Sequence, residues 1–256
     1  MHHNNADPHA GQIVESGVQL FLRLNNSSQT LKDINPRLLG PGTPVSNQII
    51  EVTGDFSNEL LLDFIIRCTL PQELNAQWKG SGVVFVNTNH HLNILKITNV
   101  LDAHLKNLNV KCRKPVIESA LSHITILNCY NDEQLEMTFR NLEKIIQDRD
   151  DVCLLVVDDI TSQFWLAKQK NVMLSLEQYS KLKFQLLQNI VKDLNVVLIF
   201  SRYQLRDLKK TVDLHVDYKI IGETLDADTN QFTVIDYVRK SSNIVPFKLE
   251  MFITFL

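Results

Sequence analysis

Glycine is scarce in this chain, eight residues among 256. So little glycine leaves few places for the flexible loops whose successive N–H groups wrap a phosphate. Charge of one sign is missing too: 26 Lys and Arg against 29 Asp and Glu leave a formal charge of −3. No global positive field draws such a surface onto a polyanion, so any contact with nucleic acid has to be local. The longest uninterrupted apolar run, Val152 to Val157, is far shorter than the roughly 20 residues of a membrane span. The polar start, Met1 to Gly11, has no secretory core. A soluble intracellular protein without membrane contact is expected. The four cysteines, Cys68, Cys112, Cys129 and Cys153, form no Cys-x-x-Cys pair, which favours reduced thiols over zinc or disulfides. His2, His3 and His9 stand in the polar leading segment and read as solvated rather than as ligands. No metal site is expected.

What is there is a core-forming composition, 44% apolar and 21% charged, ordinary for one generous globular domain or two small ones. From Ile13 to Leu24 apolar residues recur at helical spacing, and Asn25 to Asn47 is rich in Asn, Ser, Pro and Gly. Residues 1–47 therefore read as an arm and linker, and residues 48–256 as the core domain. In the core, short apolar runs alternate with segments of 3.6-residue period, the pattern of a parallel sheet covered by helices on both faces. The runs predict strands at Gln48 to Thr53, Val83 to Asn87, His123 to Asn128, Val152 to Asp158 and Val196 to Phe200. The periodic segments predict helices near Asn58 to Leu70, His91 to Leu108, Asn131 to Arg149 and Leu174 to Leu194. Two stripes, Ile94, Ile97, Leu101, Leu105 and Leu108, then Leu135, Phe139, Leu142 and Ile146, read as core-facing. Beyond Asp217 strands are expected at Tyr218 to Glu223, Phe232 to Val238 and Phe247 to Phe255. Leu225 to Asn230 and Ser241 to Pro246 would join them as short antiparallel connections.

Ligands of open α/β sheets sit at the carboxyl ends of strands, so the first strand-to-helix turn is the natural place for a phosphate. It reads Thr53-Gly54-Asp55-Phe56-Ser57-Asn58. A phosphate loop of the form Gly-x-x-x-x-Gly-Lys-Ser/Thr supplies inward N–H groups, a lysine for the β and γ oxygens and a hydroxyl for magnesium. Here Gly54 and Ser57 are what remains, and no lysine follows. Asp55 and Glu59 would suit a helix N-terminus, with Asp55 or Ser57 as its N-cap, and would repel a triphosphate.

Several segments, in this order, resemble the RecA-type recombinase paralogues of eukaryotic homologous recombination. They are Glu15-Ser16-Gly17, Leu31-Lys32-Asp33-Ile34-Asn35-Pro36, Arg67-Cys68-Thr69-Leu70-Pro71, Val83-Val84-Phe85-Val86-Asn87-Thr88, and Leu154-Leu155-Val156-Val157-Asp158-Asp159 followed by Phe164-Trp165. The resemblance runs from about residue 14 to 204 and implies a RecA-like P-loop NTPase core: a mainly parallel central sheet, helices on both faces and C-terminal antiparallel strands. It also implies that Asp158 ends a Walker B-like strand, whose carboxylate in active members orients magnesium. By residue chemistry alone, an acidic strand end capping the next turn explains Asp158 equally well. The family's catalytic Glu after the second strand is matched by Asn89, and a neutral amide cannot act as a general base. The resemblance with these departures implies an ATPase fold without ATPase catalysis, so no ATP or magnesium cofactor is expected.

The family's two DNA-facing loops correspond to Ala167 to Leu174 and Ser201 to His215. Lys168, Lys170, Arg202, Arg206, Lys209 and Lys210 there can neutralise phosphates, and Tyr203 can stack a base. Asp207 and Asp213 dilute the second cluster, and a solvated basic face remains the other reading. Gln204 matches the family's polar sensor or is simply solvent-facing. A further basic group, Lys106, Lys111, Arg113 and Lys114, reads as a solubility feature. Family cores stack head to tail through an N-terminal arm, for which Val14, Phe21 and Leu22 are the apolar candidates; packing of the arm on its own core is the alternative. The expected function is a non-catalytic, nuclear mediator subunit of double-strand-break repair that joins other recombinase paralogues and single-stranded DNA. The rivals are a DNA-stimulated ATPase with a rebuilt phosphate loop and a scaffold without DNA contact.

Overall fold

The computed structural model describes residues 30–192, 194–203, 214–226 and 229–255. A single turn of helix, α1 (Pro36–Leu39), opens the described chain. It is followed by β1 (Ile49–Gly54), α2 (Ser57–Thr69), β2 (Gly82–Asn87), α3 (Ile94–Asn107), α4 (Arg113–Ser122), β3 (Ile124–Asn128) and α5 (Asp132–Gln147). Then come β4 (Val152–Val157), α6 (Phe164–Lys170), α7 (Leu176–Lys192), β5 (Val197–Ser201), and β6 to β9 (Tyr218–Asp226, Thr229–Asp236, Ser241–Leu249, Ile253–Phe255). One nine-stranded sheet in the order β3-β2-β4-β5-β1-β6-β7-β8-β9 joins them. The strands from β3 to β6 are parallel, and β6 to β9 form antiparallel hairpins. This is the α/β, RecA-like arrangement expected from the sequence.

Alternation along the parallel strands builds two cores. Ile50, Val52, Val83, Phe85, Leu154, Val156, Val197 and Ile199 face one side, under α2 and α3. Val84, Val86, Leu155, Val157, Leu198 and Phe200 face the other, against α5 and α7. With helices on both sides, neither face of the central strands meets water, which is why these runs are continuously apolar. The antiparallel strands bury one face only: Ile220, Phe232, Val234, Val245, Phe247 and Ile253 join the first core. Ile244 on the opposite face is exposed. The linker also contributes to that core, because Leu31, Ile34, Leu38 and Leu39 are buried in it.

Two kinds of segment differ from the sequence reading. Arg113–Ser122 is a helix with a single buried residue, Ala120, so it carries almost no apolar stripe to announce it. Ser241 to Pro246, read as a connection, is the first part of β8, and the last strand is broken after Leu249, where exposed Met251 sits in a turn. β8 pairs with β9 only from Phe247 to Leu249, so Ser241–Pro246 has a wet face and no strand beyond it, and Ser, Asn and Pro are tolerated there. The stripe of α5 is buried throughout, whereas in α3 Ile94 and Leu108, at and beyond the helix ends, are exposed. No described helix is long and apolar enough to cross a membrane.

Two contacts yield tests. Gly54 (φ +82) and Gly222 are register partners on β1 and β6; a Cβ on Gly222 would lie 1.8 Å from the Asp55 carbonyl oxygen. Gly222→Ala is expected to lower stability by at least ~2 kcal/mol in urea titration, because the obstructing atom is backbone and cannot step aside. On the flank of the first core, His104 stacks on Phe252 at 4.0 Å and meets Trp78 edge-on at 6.2 Å. Burial pushes its imidazole below the ordinary value, against the opposing pull of Asp63. The unfolded chain therefore binds this proton more readily, and stability is lost as pH falls below about 6.5 towards the depressed folded value. Urea midpoints at pH 7.5 and 5.5 should fall further for the native chain than for His104→Leu.

Candidate nucleotide site and nucleic-acid interface

Only Asp55 and Phe56 separate β1 from α2. The turn is tied to the neighbouring strand by the Asp55 N–H, which donates to the Gly222 carbonyl at 2.9 Å. The N-cap is Phe56, in a left-handed conformation (φ 65) and with no side-chain cap, rather than the expected Asp55 or Ser57. Its ring meets Phe247 edge-on at 5.3 Å, and that contact offsets the backbone cost of a positive φ. The Ser57 hydroxyl closes back on the Gly54 carbonyl at 2.8 Å, and Glu59 takes an ion pair from Lys96 at 3.3 Å.

One strand, β5, lies between β1 and β4. Asp158 directly follows β4, and its carboxylate turns towards the end of β2: it accepts the Thr88 N–H at 2.8 Å, the Thr88 hydroxyl, and the Asn89 N–H at 3.1 Å. Burial pushes this carboxylate above its ordinary range, and the hydrogen bonds from Thr88 and Asn89 oppose the shift. Asp159 is raised for the same reason while accepting from the Thr161 N–H at 2.7 Å and from the Asn89 side-chain amide at 3.3 Å. The fold thus brings Asn89 against both acidic residues. Connections leave β2 and β4 for opposite faces of the sheet, and at such a divergence a crevice opens.

That crevice is a groove of about 360 Å³ lined by Asn89, Asp159, Ser162, Trp165, Leu176 and Tyr203 among others. Trp165 and Tyr203 are exposed. The segment read as the first DNA-facing loop is helical through Lys170. Lys168 lies over the Phe164 and Trp165 rings at 5.5 and 5.8 Å, and Lys170 is ion-paired with Glu133 at 2.6 Å on the surface. Arg202 points inward: its guanidinium is buried in an ion pair with buried Glu51 of β1. That pair joins β5 to β1 at the end of the sheet where the first turn stands. Arg206, Lys209, Lys210 and Gln204 lie outside the described residues, as do Val14, Phe21 and Leu22. Of the other basic group, Arg113 pairs with Asp102 at 2.6 Å and binds α4 to α3. The sequence reading missed Trp165 as a groove residue and the partnership of Arg202 with Glu51. An aromatic six residues beyond Asp159 was the available signal for the first; the second had none.

No family model matches the chain. A mouse protein, the DNA repair protein XRCC2, is 29% identical to it over 197 residues, covering 75% of this chain and 68% of its own. Together with the strand order and the acidic end of β4, this likeness bears out the resemblance carried by the motifs: the chain is similar to an XRCC2-type recombinase paralogue.

Proposed function

We propose that this chain is a non-catalytic mediator subunit. It joins other recombinase paralogues in the nucleus, supports loading of the main recombinase on single-stranded DNA, and does not turn over ATP. Its likeness to a DNA repair protein supports a role in DNA repair by homologous recombination. The observation that carries the non-catalytic part is the two-residue turn between β1 and α2. The Asp55 N–H at the start of the turn is used by Gly222, and the Ser57 hydroxyl is used by Gly54. No lysine follows in the sequence. The residues present do not fit magnesium and a triphosphate, since pre-aligned donors are what stabilise the transferred charge. Asn89, held against Asp158 and Asp159, has no basic atom to take a proton from water.

A subunit of this kind acts by the surfaces it presents. DNA contact falls to Lys168, Lys170 and Tyr203, together with Arg206, Lys209 and Lys210. Partner contact falls to the apolar arm residues Val14, Phe21 and Leu22. Arg202 has the buried carboxylate of Glu51 as its partner, so its expected contribution is to hold β5 against β1 rather than to neutralise a phosphate.

Two measurements test the proposal. Calorimetric titration of the purified chain with ATP and magnesium should give no heat of binding, with phosphate release at background with or without single-stranded DNA. Micromolar affinity with DNA-stimulated release would reject the non-catalytic reading. Tagged pulldown from cells should recover recombinase paralogues, and replacing Val14, Phe21 and Leu22 together by Ala should remove them; recovery undiminished by the triple change would exclude the arm as the docking element.

A further inference from the structure

Two of the cysteines meet inside the first core, at the amino ends of the strands and away from the candidate site. Cys68 stands in the last turn of α2, and Cys153 lies near the start of β4. Their sulfurs are 3.7 Å apart although the residues are separated by 85 positions in the chain. Both are free thiols and both are buried, Cys68 completely and Cys153 at 4% exposure. Cys68 Sγ faces the carbonyl oxygens of Ser81 and Gly82 at 3.7 and 3.8 Å, and Cys153 Sγ faces that of Gly82 at 4.0 Å. The pair thus sits just inside the loop that leads into β4, where the guanidinium of Arg149 holds both oxygens of Asp151 at 3.0 and 2.6 Å.

Packing alone does not call for this arrangement. A thiol in a core behaves as a small apolar group and needs no second thiol beside it. Two thiols that converge from a helix and a strand meet the first requirement of a disulfide, which is proximity on elements already fixed in place. Closing the gap from 3.7 Å to a bond of about 2.05 Å moves each sulfur by about 0.8 Å, within the reach of side-chain rotation. Two charges act on the pair from the adjoining loops: Lys79 favours the thiolate of Cys68, and Asp151 opposes it. Burial pushes the Cys68 thiol well above its ordinary value. Cys68 is therefore the slower nucleophile, and Cys153, the less enclosed of the two, is the one that an oxidant meets first.

We propose that Cys68 and Cys153 form a reversible disulfide site, closed by hydrogen peroxide and reopened by thiols. The Cys153 thiol attacks one peroxide oxygen, the O–O bond breaks, and a sulfenic acid forms with release of one water. The Cys68 sulfur then attacks the Cys153 sulfur, the S–O bond breaks, and the hydroxyl leaves with the Cys68 proton as a second water. Two electrons pass from the two thiols to the peroxide, and a dithiol such as dithiothreitol returns them by exchange. The bond ties α2, whose other end is the first turn, to β4, which ends at Val157 directly before Asp158. It also closes a long loop and so restricts the unfolded chain.

Cys112 is the exposed cysteine, and Cys112→Ser removes the competing route to bonds between chains. Of the four cysteines in the sequence, three then remain. The reduced full-length variant, treated with hydrogen peroxide and then denatured, should fall from three free thiols to one, and dithiothreitol should restore all three. Peptide mass mapping should show Cys68 joined to Cys153, in the variant and in the native chain oxidised in parallel. The urea midpoint of the oxidised variant should lie about 1 M above that of the reduced one. Adding Cys153→Ala should abolish both the bond and the shift. A thiol count that stays at three, a sulfinic acid on Cys153 without a bond, or a bond to Cys129 instead would overturn the proposal. An oxidised form that unfolds at lower urea than the reduced form would overturn the bracing of α2 on β4.

Discussion

The hydrogen bond from the Asp55 N–H to the Gly222 carbonyl holds the end of β1 against β6, and it needs both register partners, Gly54 and Gly222, to lack a Cβ. Once that contact is made, the chain has only Phe56 left before α2 must start, so the backbone turns through a left-handed residue. The cost is offset where the Phe56 ring settles on Phe247. The C-terminal hairpins are therefore fastened to the first turn of the core by backbone and by aromatic packing. The same fastening occupies the Asp55 N–H at the start of the turn.

The acidic end of β4 is shaped by a different balance. Burying Asp158 and Asp159 disfavours their charged forms, and their carboxylates are sustained by donors from Thr88, Asn89 and Thr161. Those bonds draw the β2 loop onto the β4 loop, which positions Asn89 and Tyr203 around one groove. The Asp158 carboxylate thereby organises the neighbouring backbone of Thr88 and Asn89. The buried pair of Glu51 and Arg202 adds a second cross-link between strands on the same edge. Such pairs bring large losses when one partner is removed, so each tends to persist with the other.

Much of the fold was legible because central strands and amphipathic helices leave periodic signals. Leu135, Phe139, Leu142 and Ile146 could be assigned to one buried face from spacing alone, and they are buried. Arg113–Ser122 could not, because a helix that buries only Ala120 has no stripe. Nor could Ser241–Leu249, whose Ser, Asn and Pro read as a connection although a strand with one wet face tolerates them. At the candidate site the shortened turn, Asp158 and Asn89 were visible as residue types in order. The pairing of Glu51 with Arg202 joins positions 151 residues apart and left no local trace.

By itself the sequence determined the alternation of strands and helices, the absence of a phosphate-loop lysine, and the likeness to recombinase paralogues, because these are written in spacing, composition and residue identity. Only the tertiary structure decided where the side chains at the sheet's edge point. Arg202 turns inward to Glu51, while Trp165 and Tyr203 turn outward to one groove. The physical reason is that burial and partnership depend on strands distant in sequence but adjacent in the sheet, and a linear pattern carries no information about which of them will meet.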